Sequence, residues 1–533
     1  MKRYIIILVA FLMLFIGGCS SKSEMPENQS IGTGEAQESR VLNFVNFRDI
    51  RDLNPHLYAG EMYAQSILYD RLVNISQEGF EGALAQSWEI SEDGLVYTFT
   101  IRDNVRFSDG EVCDAHAIEA NFDAIIENKE RHSWLEMMNL LKDVRAVDDL
   151  TLEIELTKPY YPMLTELAVT RPFAMISPKA MIDGSTKDGV NGYIGTGPYM
   201  LTDFVVDEYA VFEINPYYWG EKPNIEKFIV KVIPDNQSRL MALEKGEIDI
   251  IYGKNMVDAD TLVQFMDSEE FEITYSEPIA TRHIVFNSTN DILKDQSVRQ
   301  ALQHGTNRNE ISDGLFYGLE EAADFLYAPT VPYANIGLTP YSFDTAKAES
   351  ILESAGWIKN SQGIREKEGK KLELTLLYNA NSVMEKSIGE YLQSSYKNIG
   401  VNLSLKGEEE QSYRDNMKSG QFDMIFNITW GLPYDPQSSL AGMKLPVYGD
   451  YAAQLGLEDK AYIDETIAQI LVSTDETERQ SLYKDVLTRL HEHAIYLPLT
   501  YECNKAIYRK DLSGVVFTKN PFEVPFYEMK FTK

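Results

Sequence analysis

Apolar and polar side chains recur along this chain with two periods that take turns. Residues 41–47 alternate roughly one for one and predict a strand, and Asn54-Pro55 marks a turn. Residues 62–72 then carry apolar side chains at helical spacing, so strand, turn and helix open an α/β unit. From Gln86 the pattern changes to short strands at 87–90, 95–101 and 105–107. Glu92-Asp93-Gly94 joins the first two as a hairpin, because glycine after aspartate readily takes positive φ. Asp114 caps a predicted helix whose apolar face is Ile118, Phe122, Ile125 and Ile126. Residues 147–156 read as one further hairpin strand and 160–167 as a short helix. Beyond them a helix at 238–243 leads into a strand at 248–252. Another helix starts at Gln296, and more are predicted over 344–355 and 475–490, with strands at 371–378 and 401–405.

Residues 1–22 follow neither period. Lys2 and Arg3 precede an apolar run over residues 5–16, shorter than the ~20 residues that span a bilayer, so the segment reads as an export signal. Ile16-Gly17-Gly18-Cys19 resembles the bacterial lipobox. That resemblance implies a lipoprotein signal peptide over 1–18, acylation of Cys19, and an extracytoplasmic protein anchored by lipid to the cell membrane. Residues 19–40 are rich in Ser, Glu, Gln and Gly; they bury too little apolar surface to offset their ordering entropy and read as a flexible tether.

Composition bounds the remainder. A chain of 533 residues exceeds one hydrophobic core and suffices for two or three domains. A net charge of −33 repels nucleic acid and anionic lipid, so no nucleic-acid partner is expected, and the charge serves solubility more readily than cation capture. Cys113 and Cys503 are the cysteines besides Cys19, which leaves no disulfide framework and no Cys-based zinc site. No second apolar stretch approaches ~18 residues, so the body reads as soluble. Gly195-Thr196-Gly197 invites a phosphate-loop reading, but neither GK[ST] nor GxGxxG follows, and a tight turn is the better one. No Ser-His-Asp, Cys-His or metal-hydrolase pattern is visible, so neither an enzyme nor a bound cofactor is expected.

Several ordered motifs carry a more specific resemblance. Gly195-Thr196-Gly197-Pro198-Tyr199, the Asn-Pro-Tyr-Tyr-Trp-Gly-Glu-Lys-Pro run at 215–223, and Val232-Ile233-Pro234-Asp235 leading to Leu243-Glu244-Lys245-Gly246 resemble the successive signatures of the extracellular solute-binding proteins of peptide and nickel ABC importers. Within that family Leu53-Asn54-Pro55-His56-Leu57-Tyr58, residues 128–136, Arg171-Pro172-Phe173, residues 328–335, Gly407-Glu408-Glu409-Glu410 and above all residues 424–436 resemble the nickel-binding branch. The resemblance implies an α/β, two-lobed periplasmic-binding-protein fold of type II, peptide/nickel cluster. Lobe I would take 41–280 and 500–533, with an extra α+β subdomain at about 76–195, and lobe II 281–499; the hinge would lie near residues 280 and 500. Such a protein captures its cargo by lobe closure and delivers it to a permease and its ATPase subunits, and a monomer is expected.

Nickel favours imidazole and carboxylate ligands. The chain has seven histidines, and His491 and His493 stand two apart on a predicted helix, on different faces. Where nickel-binding relatives place a loop histidine, this sequence has Tyr448. That departure favours nickel arriving within a small organic chelator such as L-histidine, with His283 or His56 as alternative protein ligands against the plainer reading of core or turn histidines. By the same resemblance Arg131 and Arg171 grip carboxylates, Trp134, Trp430 and Tyr434 form aromatic walls, and Tyr58, Met62 and Tyr448 line the site; Arg282 would add a third cation. Ion pairing competes as a role for the arginines, and core packing for the tryptophans. A peptide or another metallophore complex is the alternative cargo within the family. An extracellular sensor or enzyme would need a signalling domain or catalytic constellation that the sequence does not display.

Overall fold

One mixed sheet of 11 strands runs through the part of the computed structural model that is described, residues 40–532 apart from 77–78, 255, 431–435 and 447. The signal peptide, Cys19 and the tether up to residue 39 lie outside the described residues, as does Tyr434. The sheet order is Tyr199–Val205, Tyr209–Ile214, Lys227–Val232, Leu42–Asn46, Ile250–Tyr252, Tyr496–Arg509, Phe271–Phe286, Met424–Ile428, Glu373–Asn379 and Asn402–Glu408, and the eleventh strand, Glu321–Ala322, pairs with Tyr496–Arg509 off this path. At its centre the two longest strands pair antiparallel, from Phe271 opposite Arg509 to Val285 opposite Tyr496. Their register shifts between Tyr275 and Pro278, Pro278 and Ala280, and Arg282 and His283.

The two-residue period of a strand sends neighbouring side chains to opposite faces. Phe44 and Ile250 therefore join one buried cluster, whereas Val45 and Ile251 join another. Ile284 and Val285 separate in the same way farther along the sheet. With both faces covered, strands such as Ile250–Tyr252 are buried throughout. A separate four-stranded sheet, Ala85–Ile90, Val96–Ile101, Thr151–Leu156 and Leu141–Asp148, builds its own core against the helix Ala115–Glu127.

Local signals mostly act as the residue pattern predicts, with identifiable exceptions. Asp114 caps Ala115–Glu127 by accepting from Ala117 N–H (2.8 Å); Ile118, Phe122 and Ile125 are buried, but Ile126 turns outward. The helix expected over 62–72 ends as Met62–Leu68, because Tyr69 is extended (φ −129°) and a strand begins at Val73. Residues 147–156 hold the end of one strand and the whole of the next rather than one strand: the chain reverses at Asp149 and Leu150, where Asp148 Oδ1 accepts from Leu150 N–H (2.9 Å). Residues 105–107 make a bridge, Arg106 to Val112, and no strand. The last long helix spans Glu476–Glu492, capped by Asp475.

One contact joins distant parts of the chain. Tyr161 N–H donates to Leu471 O (3.1 Å), and the Arg479 guanidinium lies 3.4 Å above the Tyr161 ring. Arg479 is wholly buried and donates to Ile470 O, Ser473 O (3.2 Å) and Gln437 Oε1 (3.1 Å), acceptors that replace the water it has lost.

The chain bends at Thr196-Gly197-Pro198, although neither Gly195 nor Gly197 has positive φ. A Cβ at Gly195 would fall 2.0 Å from Leu68 O, and one at Gly197 would fall 2.4 Å from Ile67 O. The motif lets two backbones touch, and Gly197 N–H donates to Leu68 O (3.0 Å). Gly195→Ala is therefore expected to lower stability by about 3 kcal/mol or more. Urea denaturation should show a lower midpoint at unchanged slope, and a wild-type midpoint would contradict the close approach.

Candidate functional site

The turn at Asn54-Pro55 is held by its own asparagine. Asn54 Oδ1 accepts from His56 N–H (3.1 Å), Asn54 Nδ2 donates to Thr186 O (2.8 Å), and Gln65 Nε2 donates to Asn54 O (3.0 Å). This fixes where Tyr58 emerges, just before Met62 begins its helix, half-buried. From the other side, Ala115–Glu127 ends at Asn128 and the short 3₁₀ turn Lys129–His132 delivers His132 and Trp134.

Four side chains converge there. Tyr58 Oη lies 2.8 Å from His132 Nδ1, and Trp134 Nε1 donates to the same oxygen (2.8 Å). The Tyr58 ring meets His132 and Trp134 edge-on at 5.4 and 6.2 Å, and the Arg171 guanidinium lies 6.0 Å from its centroid. Arg171 interrupts the helical turn Thr170–Phe173 with extended backbone (φ −113°). Its Nε–H is buried and has no protein acceptor. Burial lowers the Arg171 pKa, opposed by the Glu61 charge. Arg131 is exposed, and its charge acts on both Tyr58 and His132.

Burial pushes the Tyr58 phenol up to about 12, against the Trp134 hydrogen bond and the two arginines. Burial, seconded by Arg131, brings His132 down to about 4. His56 falls to about 3, from burial and then from His132. Both imidazoles are thus neutral near pH 7.

A second aromatic group forms on another element. Thr429 follows the strand Met424–Ile428 and is tied to Thr281, whose N–H donates to Thr429 Oγ1 (2.7 Å). Trp430 comes next; its ring lies 5.3 Å from Tyr448, and a Cβ on Gly442 would sit 2.8 Å from its six-membered ring. Tyr448 is half-buried at the start of the helix Gly449–Gln454, and Asp450 accepts from Asn427 Nδ2 (2.9 Å).

The remaining sequence candidates have other partners. His56 is fully buried with Nδ1 2.9 Å from Thr186 Oγ1. His283 is buried within the sheet, its Nδ1 3.1 Å from Thr281 O and its ring against Tyr496 (5.3 Å). Arg282, read from sequence as a third cation for the cargo, is committed instead to a buried ion pair with Glu502 and lies 3.6 Å from Glu320. His491 and His493 do diverge, to Thr339 O (2.9 Å) and Asp459 Oδ1 (2.7 Å). Among the described residues no three His, Cys, Asp or Glu side chains gather as a metal site. Sequence reasoning missed His132: between Arg131 and Trp134 it carries no periodic signal, and only folding brings it to Tyr58, 74 residues away.

A single mixed sheet with separate cores along it, an aromatic and cationic group at Tyr58 and a second aromatic group at Trp430, has the features of a solute-binding protein. It is the type II periplasmic-binding-protein fold. The model for bacterial extracellular solute-binding proteins, family 5 Middle, matches residues 79–449. The chain is 41% identical over 489 residues to the nickel-binding periplasmic protein of Escherichia coli (strain K12), covering 91% of this chain and 93% of that protein. NikA from Brucella suis, solved in complex with Fe(III)-EDTA, superposes with a TM-score of 0.90 at 44% identity, over 92% of this chain and 100% of that one. NikZ from Campylobacter jejuni, solved in complex with Ni(L-His), gives 0.75 at 26% identity, over 92% and 99%. The chain belongs to the bacterial extracellular solute-binding proteins of family 5, a family of binding proteins and not of enzymes.

The two depressed histidines set a pH dependence. Unfolded imidazoles take up protons near pH 6.5, whereas the folded rings do so only near about 4 and about 3. Each therefore withdraws stability as pH falls below 6.5, levelling off at its folded value. His56→Asn, which keeps a polar group for Thr186, is expected to flatten the acid side of the stability profile between pH 6.5 and about 3. Urea midpoints measured across that range check this, and an unchanged slope against pH would refute it.

Proposed function

We propose that this chain is the extracytoplasmic solute-binding component of an ABC importer that captures nickel as a small organic chelate, such as its L-histidine complex. The observation that carries this reading is the buried Arg171 Nε–H without a protein acceptor, set beside Tyr58 with the Arg131 charge acting on the same phenol. Two arginines repel a bare dication but welcome the carboxylates of a chelate, which pair with guanidinium through strong charge-assisted bonds. The names of the relatives support the same cargo: one is nickel-binding, and two were solved with Fe(III)-EDTA and Ni(L-His). The dipeptide-binding protein of Escherichia coli stands farther off, at 26% identity.

In this reading Tyr58, Met62, Arg131, Trp134 and Arg171 form one wall, and Trp430 and Tyr448 the opposite one. The chelator supplies the metal's ligands, while His56 and His283, each with one ring nitrogen committed, serve packing. Lobe I takes 41–280 and 500–533 and lobe II 281–499, and the shifted register at 275–283 is where the lobes flex. Acylated Cys19 holds the protein at the membrane, where the closed monomer meets a permease with its ATPase subunits.

Calorimetric titration of the soluble body with nickel alone, then with nickel and excess L-histidine, tests the reading. Tight binding is expected in the second case only, and Arg171→Met should weaken it about thirtyfold, the equivalent of about 2 kcal/mol. Tight binding of bare nickel would put a protein ligand at the metal. Silence in both titrations would move the cargo to a peptide or another metallophore.

A further inference from the structure

We propose that His132 is a positioning residue that frees the Tyr58 hydroxyl hydrogen for a carboxylate oxygen of the bound chelate. The inference rests on the chelate reading above, but its first premise is a property of the protein alone. An indole nitrogen only donates, so Trp134 Nε1–H must occupy one acceptor position of Tyr58 Oη, at 2.8 Å. The 2.8 Å contact between Tyr58 Oη and His132 Nδ1 then has two versions. Either the phenol donates to the imidazole, or the imidazole Nδ1–H donates to the phenol.

The far side of the ring decides between them. His132 is fully buried, and its Nε2 has no hydrogen-bond partner in the protein. If the phenol donates, the neutral ring carries its hydrogen on Nε2 and leaves a buried N–H unmade, at a cost of about 1–3 kcal/mol. If Nδ1 carries the hydrogen, Nε2 is an idle acceptor, which folded proteins tolerate better than an orphaned donor. The geometry thus selects the Nδ1–H form. Tyr58 Oη accepts two N–H donors, and its own hydrogen points elsewhere.

That hydrogen persists, because the phenol pKa is pushed up to about 12. Tyr58 is 37% exposed, and Arg171 with its unpaired Nε–H flanks the ring. A phenol donor and a guanidinium donor side by side suit an anionic oxygen and offer nothing to a bare cation. His132 never touches the cargo; it acts by fixing the direction of one hydrogen.

Two measurements test this. The ring ¹⁵N shifts of histidine-labelled, ligand-free protein at pH 7, assigned with His132→Asn, should show His132 protonated on Nδ1. Protonation on Nε2 overturns the proposal whatever the cargo. Titration with nickel–L-histidine then compares His132→Asn, whose amide can donate to Tyr58, with His132→Asp, which only accepts and draws the phenol hydrogen away. The Asn variant is expected to bind about tenfold more tightly, and the difference should shrink below about twofold once Tyr58→Phe is added to both. Equal affinities would overturn the proposal, as would a difference that survives Tyr58→Phe, which would mark the new charge as its cause. If wild type ignores nickel–L-histidine while the ring shifts show Nδ1–H, the chelate reading fails together with the role drawn from it, and the tautomer alone stands.

Discussion

Glu502 is 2% exposed, and a carboxylate so deeply buried persists only with partners that outweigh its lost water. They come from three places: Lys254 beyond the strand Ile250–Tyr252, Arg282 on the neighbouring long strand, and Lys505 farther along Glu502's own. Burial works against the charge, but Arg282 and Lys254 prevail and hold the carboxyl below its usual range. Arg282 and Lys505 extend the network to Glu320, which also accepts from Thr500 Oγ1 (2.8 Å). The network sits where Phe271–Phe286 and Tyr496–Arg509 pair out of register, the stretch on which both sides of the sheet depend. Charge complementarity here holds in place strands whose ladder is locally weakest.

The same accounting explains the site by its opposite outcome. In the Glu502 network each buried charge has a countercharge. At Arg171 a buried N–H has no acceptor, and at His132 a ring nitrogen has none. A protein of net charge −33 has abundant carboxylates with which to satisfy an arginine. Arg171 Nε, like Arg282 Nε, meets no acceptor in the protein, but Arg171 stands beside a half-exposed phenol whereas Arg282 pairs with Glu502. The donors there are held in place: Asn54 braces the loop below Tyr58, and Asn128 closes the helix that delivers Trp134.

Much of the fold was legible before any coordinates, for local reasons. Asp114, Asp235 and Asp475 stand where helices begin because a short carboxylate meets free N–H groups there. Period two read the strands Leu42–Asn46, Glu373–Asn379 and Asn402–Glu408 but not the two long central ones, and Glu92-Asp93-Gly94 marked its hairpin, with Gly94 at φ +69°. Local signals failed where two elements share one continuous apolar pattern, as in 147–156, or where distant backbone imposes a limit, as Leu68 O does on Gly195.

Periodicity therefore determined the α/β character, and the ordered motifs the family, because each is written in residues close together along the chain; the same motifs named Tyr58, Trp134 and Arg171, which fold together. Tertiary structure decided which polar groups are satisfied. Arg282 and Arg171 read alike as free cations in the sequence, yet Arg282 is paired with Glu502 whereas Arg171 stands against the Tyr58 ring. His132 meets Tyr58 across 74 residues, and whether a donor is spent or available depends on such partners, which only folding supplies.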